Sequence, residues 1–184
     1  MTDHALKEWD SQVQALLRGD TALIVRKGGI VEKQGEFEVE HRAFYLYPTF
    51  LHQNPLELRP AFQGLLRKPP AFGQVCIPAH AEVVRVWKVE TLEQTLALEE
   101  YQPLSASALE ARFRYRDKPW VHALLLRTLP LSREACIPET EEYLGCVSWV
   151  PLNETLEKPE AATLDETRLE LLSGELEALL GPGL

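Results

Sequence analysis

Leu6, Trp9, Val13, Leu16 and Leu17 recur at three- and four-residue spacing. That pattern predicts an amphipathic helix, with Gly19 placed as its C-terminal cap. Thr21 to Val25 is a short β-type run that stops at a glycine turn, Arg26-Lys27-Gly28-Gly29. Gly35 to His41 alternates strictly, with Phe37 and Val39 on one face and Glu36, Glu38 and Glu40 on the other, as in a half-buried strand. Phe44 to Tyr47 predicts a further strand ending at Pro48. Residues 54–73 carry four prolines and little periodicity, and read as a long irregular loop with at most one helical turn.

The second half reads as a strand, two capped helices, two strands and a last capped helix. Ala81 to Val89 predicts a strand, followed by a helix whose start, Thr91-Leu92-Glu93-Gln94, fits a capping box. A second box, Ser107-Ala108-Leu109-Glu110, opens a short helix towards Tyr115. Trp120 to Thr128 is an apolar strand that Pro130 should terminate, and Gly145 to Val150 is the last strand of the body. Residues 153–162 read as a linker. Thr163-Leu164-Asp165-Glu166 is a third box, leading into a stripe of Leu164, Leu171, Leu172, Leu176, Leu179 and Leu180 that stops at Gly181-Pro182. Regular strand–helix alternation is missing, so a doubly wound parallel fold is disfavoured and an antiparallel, partly closed sheet or barrel with peripheral helices is favoured. The predicted division is a body over 1–152 and, over 153–184, a linker and acidic helix.

Composition changes this picture little. The chain has 184 residues, 45% hydrophobic and 26% charged, as in an ordinary globular domain, which excludes collagen-like, disordered and disulfide-scaffold classes. Charge matters more by location: residues 153–184 hold eight acids against Lys158 and Arg168, a net −6 of the chain's −9, leaving −3 for residues 1–152. A body that close to balance can still present a local basic face, although a general cationic coat for DNA is excluded. No apolar run is long enough to span a bilayer and no secretory leader pattern opens the chain, so a cytoplasmic location without a membrane partner is expected. Cys76, Cys136 and Cys146 lack paired spacing and read as reduced buried thiols, with a Cys136–Cys146 bridge left open. Twelve Arg against seven Lys and thirteen Pro would suit a GC-rich or heat-adapted source.

Candidate chemistry concentrates between Leu23 and Gln53. Arg26, Lys27 and Arg42 are candidate phosphate contacts. His41 and His52 flank the Tyr47-Pro48-Thr49 segment, and His52 with Gln53 could read a base or sugar edge. Glu36, Glu38 and Glu40, with or without His41, offer hard oxygen ligands to a divalent metal, but three glutamates on one strand face also describe its solvated side. A restriction-type nuclease would need Glu-x-Lys, whereas Glu32-Lys33 has no spacer. Cys76-x-x-x-His80 has ligand-like spacing without a second pair, so no zinc site and no cofactor is expected. The strongest nucleic-acid signal is Arg112-Phe113-Arg114-Tyr115-Arg116-Asp117-Lys118-Pro119-Trp120, which alternates cations with aromatic rings. If its start is helical, Leu109 and Phe113 share a buried face and the arginines snorkel.

Several of these residues carry a family resemblance. Arg26-Lys27-Gly28-Gly29-Ile30, Glu36-Phe37, Phe44-Tyr45-Leu46-Tyr47-Pro48-Thr49 and His52-Gln53, with Lys118-Pro119, Leu124-Leu125-Leu126-Arg127 and Tyr143-Leu144-Gly145-Cys146-Val147-Ser148-Trp149, resemble the prokaryotic family catalogued as domain of unknown function 1802 over about residues 5–152. More distantly the chain is similar to PUA-like barrels of the ASCH group. Gly19 and Arg26 match the spacing of that group's Gly-x-Lys-x-x-Glu-x-Arg motif, while Thr21 and Ile24 replace its Lys and Glu. The resemblance implies an α+β, PUA-like, partly closed mixed or antiparallel β-barrel with peripheral helices and the C-terminal acidic helix. The expected function is a module binding RNA or another single-stranded nucleic acid, or a nucleotide-like ligand, through Arg26, Lys27, His41, Arg42, His52 and Gln53. A metal-assisted hydrolase or nuclease, and an assembly protein using its leucine-striped tail to form a homo-oligomer, are the alternatives.

Overall fold

The computed structural model describes residues 4–28, 30–33, 36–145, 147–153, 156, 159 and 161–184, without the side chains of 30–33 and 36–38. Among them, six strands form one mixed sheet: β1 (His4–Trp9), β2 (Leu23–Arg26), β5 (Ala43–Thr49), β6 (Gln74–Val89), β7 (Val121–Pro138) and β8 (Trp149–Pro151). Their order across the sheet is β2-β7-β6-β5-β1-β8. β1 and β5 pair in parallel, and every other neighbour is antiparallel. A separate hairpin pairs β3 (Ile30–Lys33) with β4 (Glu36–Val39). The expectation of an α+β, partly closed mixed barrel with peripheral helices is met, and among the described residues the sheet stays open between β2 and β8.

Both faces of the sheet are covered, which explains the unbroken apolar runs in β2, β5 and the start of β7. Leu23 and Val25, Ala123 and Leu125, and Trp87 and Val89 point to one face. There they meet Leu109 and Phe113 of helix α3 (Ala106–Arg114) and Leu169 and Leu176 of helix α4 (Glu166–Leu180). Ile24, Leu124 and Leu126 point the other way, onto Val13 and Leu16 of helix α1 (Asp10–Leu17). Helix α2 (Leu92–Ala97) and the 3-10 turn Leu98–Tyr101 complete the first layer.

Several expected boundaries shift. The helix foreseen from Leu6 begins only at Asp10, because residues 4–9 pair as a strand with both β5 and β8. Its start takes its caps from elsewhere: Gln53 Oε1 accepts from Ser11 N at 2.8 Å, and Glu8 Oε1 from Trp9 N at 2.9 Å. Its end is as expected: Gly19 has φ +70°, and the Gly19 and Asp20 amides return to Leu16 and Ala15. β5 runs through Pro48. β7 runs through Pro130, where the pairing slips from Ala79–Pro130 to Ile77–Ala135 and leaves extra residues on β7, a bulge that tolerates a missing donor. The long loop holds two 3-10 turns, Pro55–Glu57 and Pro60–Leu65.

Thr91 caps α2 by accepting from Gln94 N at 3.2 Å, its hydroxyl donates to Gln94 Oε1 at 3.0 Å, and Gln94 Nε2 donates to Leu179 O at 3.1 Å. Ser105, not Ser107, caps α3, and Asp165, not Thr163, caps α4. Cys76 and Cys136 face each other across β6 and β7 and form a disulfide, correcting the reduced-thiol reading, while Cys146 lies outside the described residues. No described helix is long and apolar enough to cross a membrane.

Candidate nucleic-acid groove

β2, β7 and β6 meet side by side at one end of the sheet, with Arg26 opposite His122 and His122 opposite Lys88. The chain leaves β2 as Lys27-Gly28 and enters β7 from Lys118-Pro119-Trp120, after α3 has ended. A groove of about 340 Å³ opens between them, lined by Lys27, Gly28, Tyr115, Arg116, Lys118, Trp120 and His122.

Cations surround its indole. The ammonium of Lys88 lies 4.6 Å from the Trp120 ring centre, that of Lys27 5.3 Å and that of Lys118 5.8 Å. Tyr115 is about half exposed, and the Arg116 guanidinium sits 5.1 Å over its ring. Lys88 also reaches Glu90 at 3.4 Å. Lys118 and Arg116 have no ion pair with a described acid, and both are exposed. Arg116 and Asp117 hold left-handed backbone at φ 57° and 53°, conformations that cost non-glycine residues energy and cluster at functional sites.

Lys27 organises this loop. Its ammonium donates to the carbonyls of Phe113 at 3.0 Å, Trp120 at 2.5 Å and Lys118. An ammonium has three donors, and all three are engaged in pinning residues 113–120. Burial, with the Lys118 charge second, holds the Lys27 pKa below its ordinary value.

Arg26, the last residue of β2, is buried. Its guanidinium pairs with Glu8 Oε2 at 2.6 Å and donates to Lys7 O at 2.8 Å and Gly28 O at 3.1 Å. Glu8 also accepts from Gln12 Nε2 at 2.6 Å. Arg112 donates to Val25 O at 2.7 Å and lies 5.4 Å over Trp9. Burial lowers its pKa, Glu8 opposing.

The six residues singled out in the sequence therefore separate. Arg26 is a buried strut and Lys27 a loop pin. His41 stacks on His4 at 3.9 Å and meets Trp149 edge-on at 4.8 Å. Arg42 is exposed just before β5. His52 is exposed with φ 66°, and Gln53 caps α1, both beyond the other end of β5. A seven-residue strand, roughly 23 Å at 3.3 Å per residue, lies between the two histidine positions, so they do not meet. Glu40 is exposed, and the side chains of Glu36 and Glu38 lie outside those described.

The 112–120 segment, by contrast, realises both of its readings. Phe113 and Leu109 are buried with Arg112 beside them, and after Tyr115 the chain turns its rings and cations outwards. Lys88 had no sequence signal, because only strand pairing brings it to Trp120. A second cavity, about 250 Å³, lies under α4, lined by Asp20, Glu100 and Glu175 against Arg168. Its acid excess suits a phosphate poorly.

The model of the family DUF1802, a domain of unknown function, matches residues 5–173. Two crystal structures from Zymomonas mobilis are similar in fold. A point mutant of the ASCH protein is 11% identical, with a TM-score of 0.46 over 82% of this chain and 90% of that one. The ASCH protein itself is 11% identical, with a TM-score of 0.42 over 76% and 89%. No functionally curated protein matches the chain in sequence.

Proposed function

We propose a function from the premise that the chain belongs to the DUF1802 family, whose match encloses every residue of the groove: the groove binds single-stranded nucleic acid, RNA in preference, or the nucleotide that is its unit. The observation that carries this reading is three ammonium groups gathered around one indole beside a half-exposed tyrosine. Lys118, Lys88 and Arg116 are the phosphate contacts, and Tyr115 is the stacking platform. Lys27 holds the loop that presents them. Unpaired bases can reach Tyr115, whereas stacked bases in a duplex cannot, which sets the preference for single strands. The leucine-striped tail supports assembly less well, since Leu169 and Leu176 are buried in the chain's own core.

Fluorescence anisotropy with short single- and double-stranded RNA and DNA tests the reading. Three cations give a salt slope of roughly −2 for single strands, so affinity should fall about 20-fold between 50 and 200 mM salt. Tyr115→Ala should weaken binding by about 1–3 kcal/mol. Lys88→Ala with Lys118→Ala should abolish most of the salt dependence. Equal binding by that double mutant, or no binding at 50 mM salt, removes the proposal.

A further inference from the structure

One cluster of ligating side chains lies outside the groove. Cys76 on β6 and Cys136 on β7 are direct cross-strand partners, and their sulfurs are joined. Glu134 stands two residues before Cys136, and its carboxylate oxygen and the two sulfurs all lie within 4.8 Å of one another. The β7 bulge contributes to this: between the Ala79–Pro130 and Ile77–Ala135 pairs the strand carries extra residues that end at Glu134, and bulges re-aim side chains. Glu134 and Cys136 are exposed and Cys76 half-buried, so solvent, a reductant and an ion can reach all three. Arg67 feels the Glu134 charge, but its guanidinium is held by both oxygens of Asp10, at 2.7 and 3.0 Å.

We propose that, once the disulfide is reduced, Cys76, Cys136 and Glu134 bind one thiophilic divalent cation of the zinc type. The same two sulfurs then hold either a covalent bond or a metal. The ladder, apart from the bond, keeps the two residues opposite each other. Two zinc–sulfur bonds of about 2.3 Å can span any sulfur separation up to about 4.6 Å. Two thiolates select zinc over magnesium or calcium, and three protein ligands leave a fourth position for water. In the redox step a dithiol gives two electrons and two protons to the S–S bond and becomes its own cyclic disulfide. The cation then displaces both thiol protons to solvent.

The test uses the full chain, with Zn²⁺ as the probe and Cd²⁺ for its sulfur charge-transfer absorption. The dithiol-treated protein, freed of reductant without air, should bind one Zn²⁺, and the oxidised protein none. Alkylation mapped by mass spectrometry should show Cys76 and Cys136 both protected by Zn²⁺. Changes beyond the direct ligands already cost roughly 10–100-fold in metal affinity, so Glu134→Gln should cost at least about tenfold. No Zn²⁺ uptake on reduction, equal alkylation with and without Zn²⁺, undiminished binding by Cys136→Ser, or unchanged affinity in Glu134→Gln would each overturn it. The alkylation arm needs no variant, and no groove residue takes part, so failure here leaves the nucleic-acid reading standing.

Discussion

Arg26 and Lys27 are adjacent cations with opposite surroundings, and the difference sets two contrasting expectations. The Arg26–Glu8 pair is buried, the two side chains being 10% and 3% exposed. Removing one member of a buried pair leaves the other charge uncompensated, so Arg26→Ala should destabilise the fold by about 3–5 kcal/mol in urea denaturation. Lys118→Ala, on an exposed loop, should change stability by no more than about 0.5 kcal/mol while weakening nucleic-acid binding. A mild Arg26→Ala would contradict the buried network. The sequence placed both in the glycine turn after Thr21 to Val25 and gave both the same role, whereas β2 continues through Arg26. It could not say which face holds Glu8, because that carboxylate arrives from β1, a strand hidden inside a helical spacing.

His80 supplies a pH test at the same scale. Burial lowers its pKa from the ordinary 6.5, Glu82 opposing, and its ring meets Tyr45 edge-on at 5.3 Å. The unfolded chain therefore takes up this proton before the folded one does. Stability from this group is present above about pH 6.5 and is lost as pH falls from there to the lowered folded value. His80→Gln should flatten the stability profile across that window. An unchanged slope between pH 6.5 and 5 would show that other groups carry it.

At the scale of elements, α4 makes the sharpest claim. The leucine stripe was legible, but its facing was off by part of a turn: Leu169 is buried and was not in the stripe, whereas Leu171 was and is 53% exposed. Docking sets the difference, since Leu169 and Leu176 are the helix residues that enter the core against the sheet. Leu176, fully buried, should cost about 2–5 kcal/mol as Leu176→Ala. Leu171→Ala should stay within about 0.5 kcal/mol. Equal midpoints for the two in thermal or urea unfolding would mean the helix does not dock as described. Pairing defeated the sequence more often than propensity did. Pro130 marks a slip within β7 and not its end, and residues 4–9 extend because two neighbouring strands claim them. Neither fact is visible locally, whereas Gly19 and Thr91 act through their own neighbours and were readable.

At the scale of the whole molecule, charge and covalent topology decide what the chain tolerates. Most of the net −9 lies in residues 153–184, away in sequence from the groove cations, so a local basic face coexists with an acidic total. The covalent link was the least legible feature, because Cys76 and Cys136 are 60 residues apart and only the β6–β7 ladder brings them together. Closing a loop of that length removes freedom from the unfolded chain, and the chain-entropy model assigns it about 4 kcal/mol. Dithiol treatment should therefore lower the unfolding free energy measured in urea by up to that amount, and the midpoint with it, with little change in secondary structure, because β6 and β7 pair well beyond the cysteines. Cys76→Ser with Cys136→Ser should match the reduced protein in the absence of metal. Zn²⁺ at a hundredfold its dissociation constant should return about 2.7 kcal/mol to the reduced wild type and nothing to the double mutant. A midpoint that ignores the dithiol would show that the unfolded chain gains no freedom from losing the link.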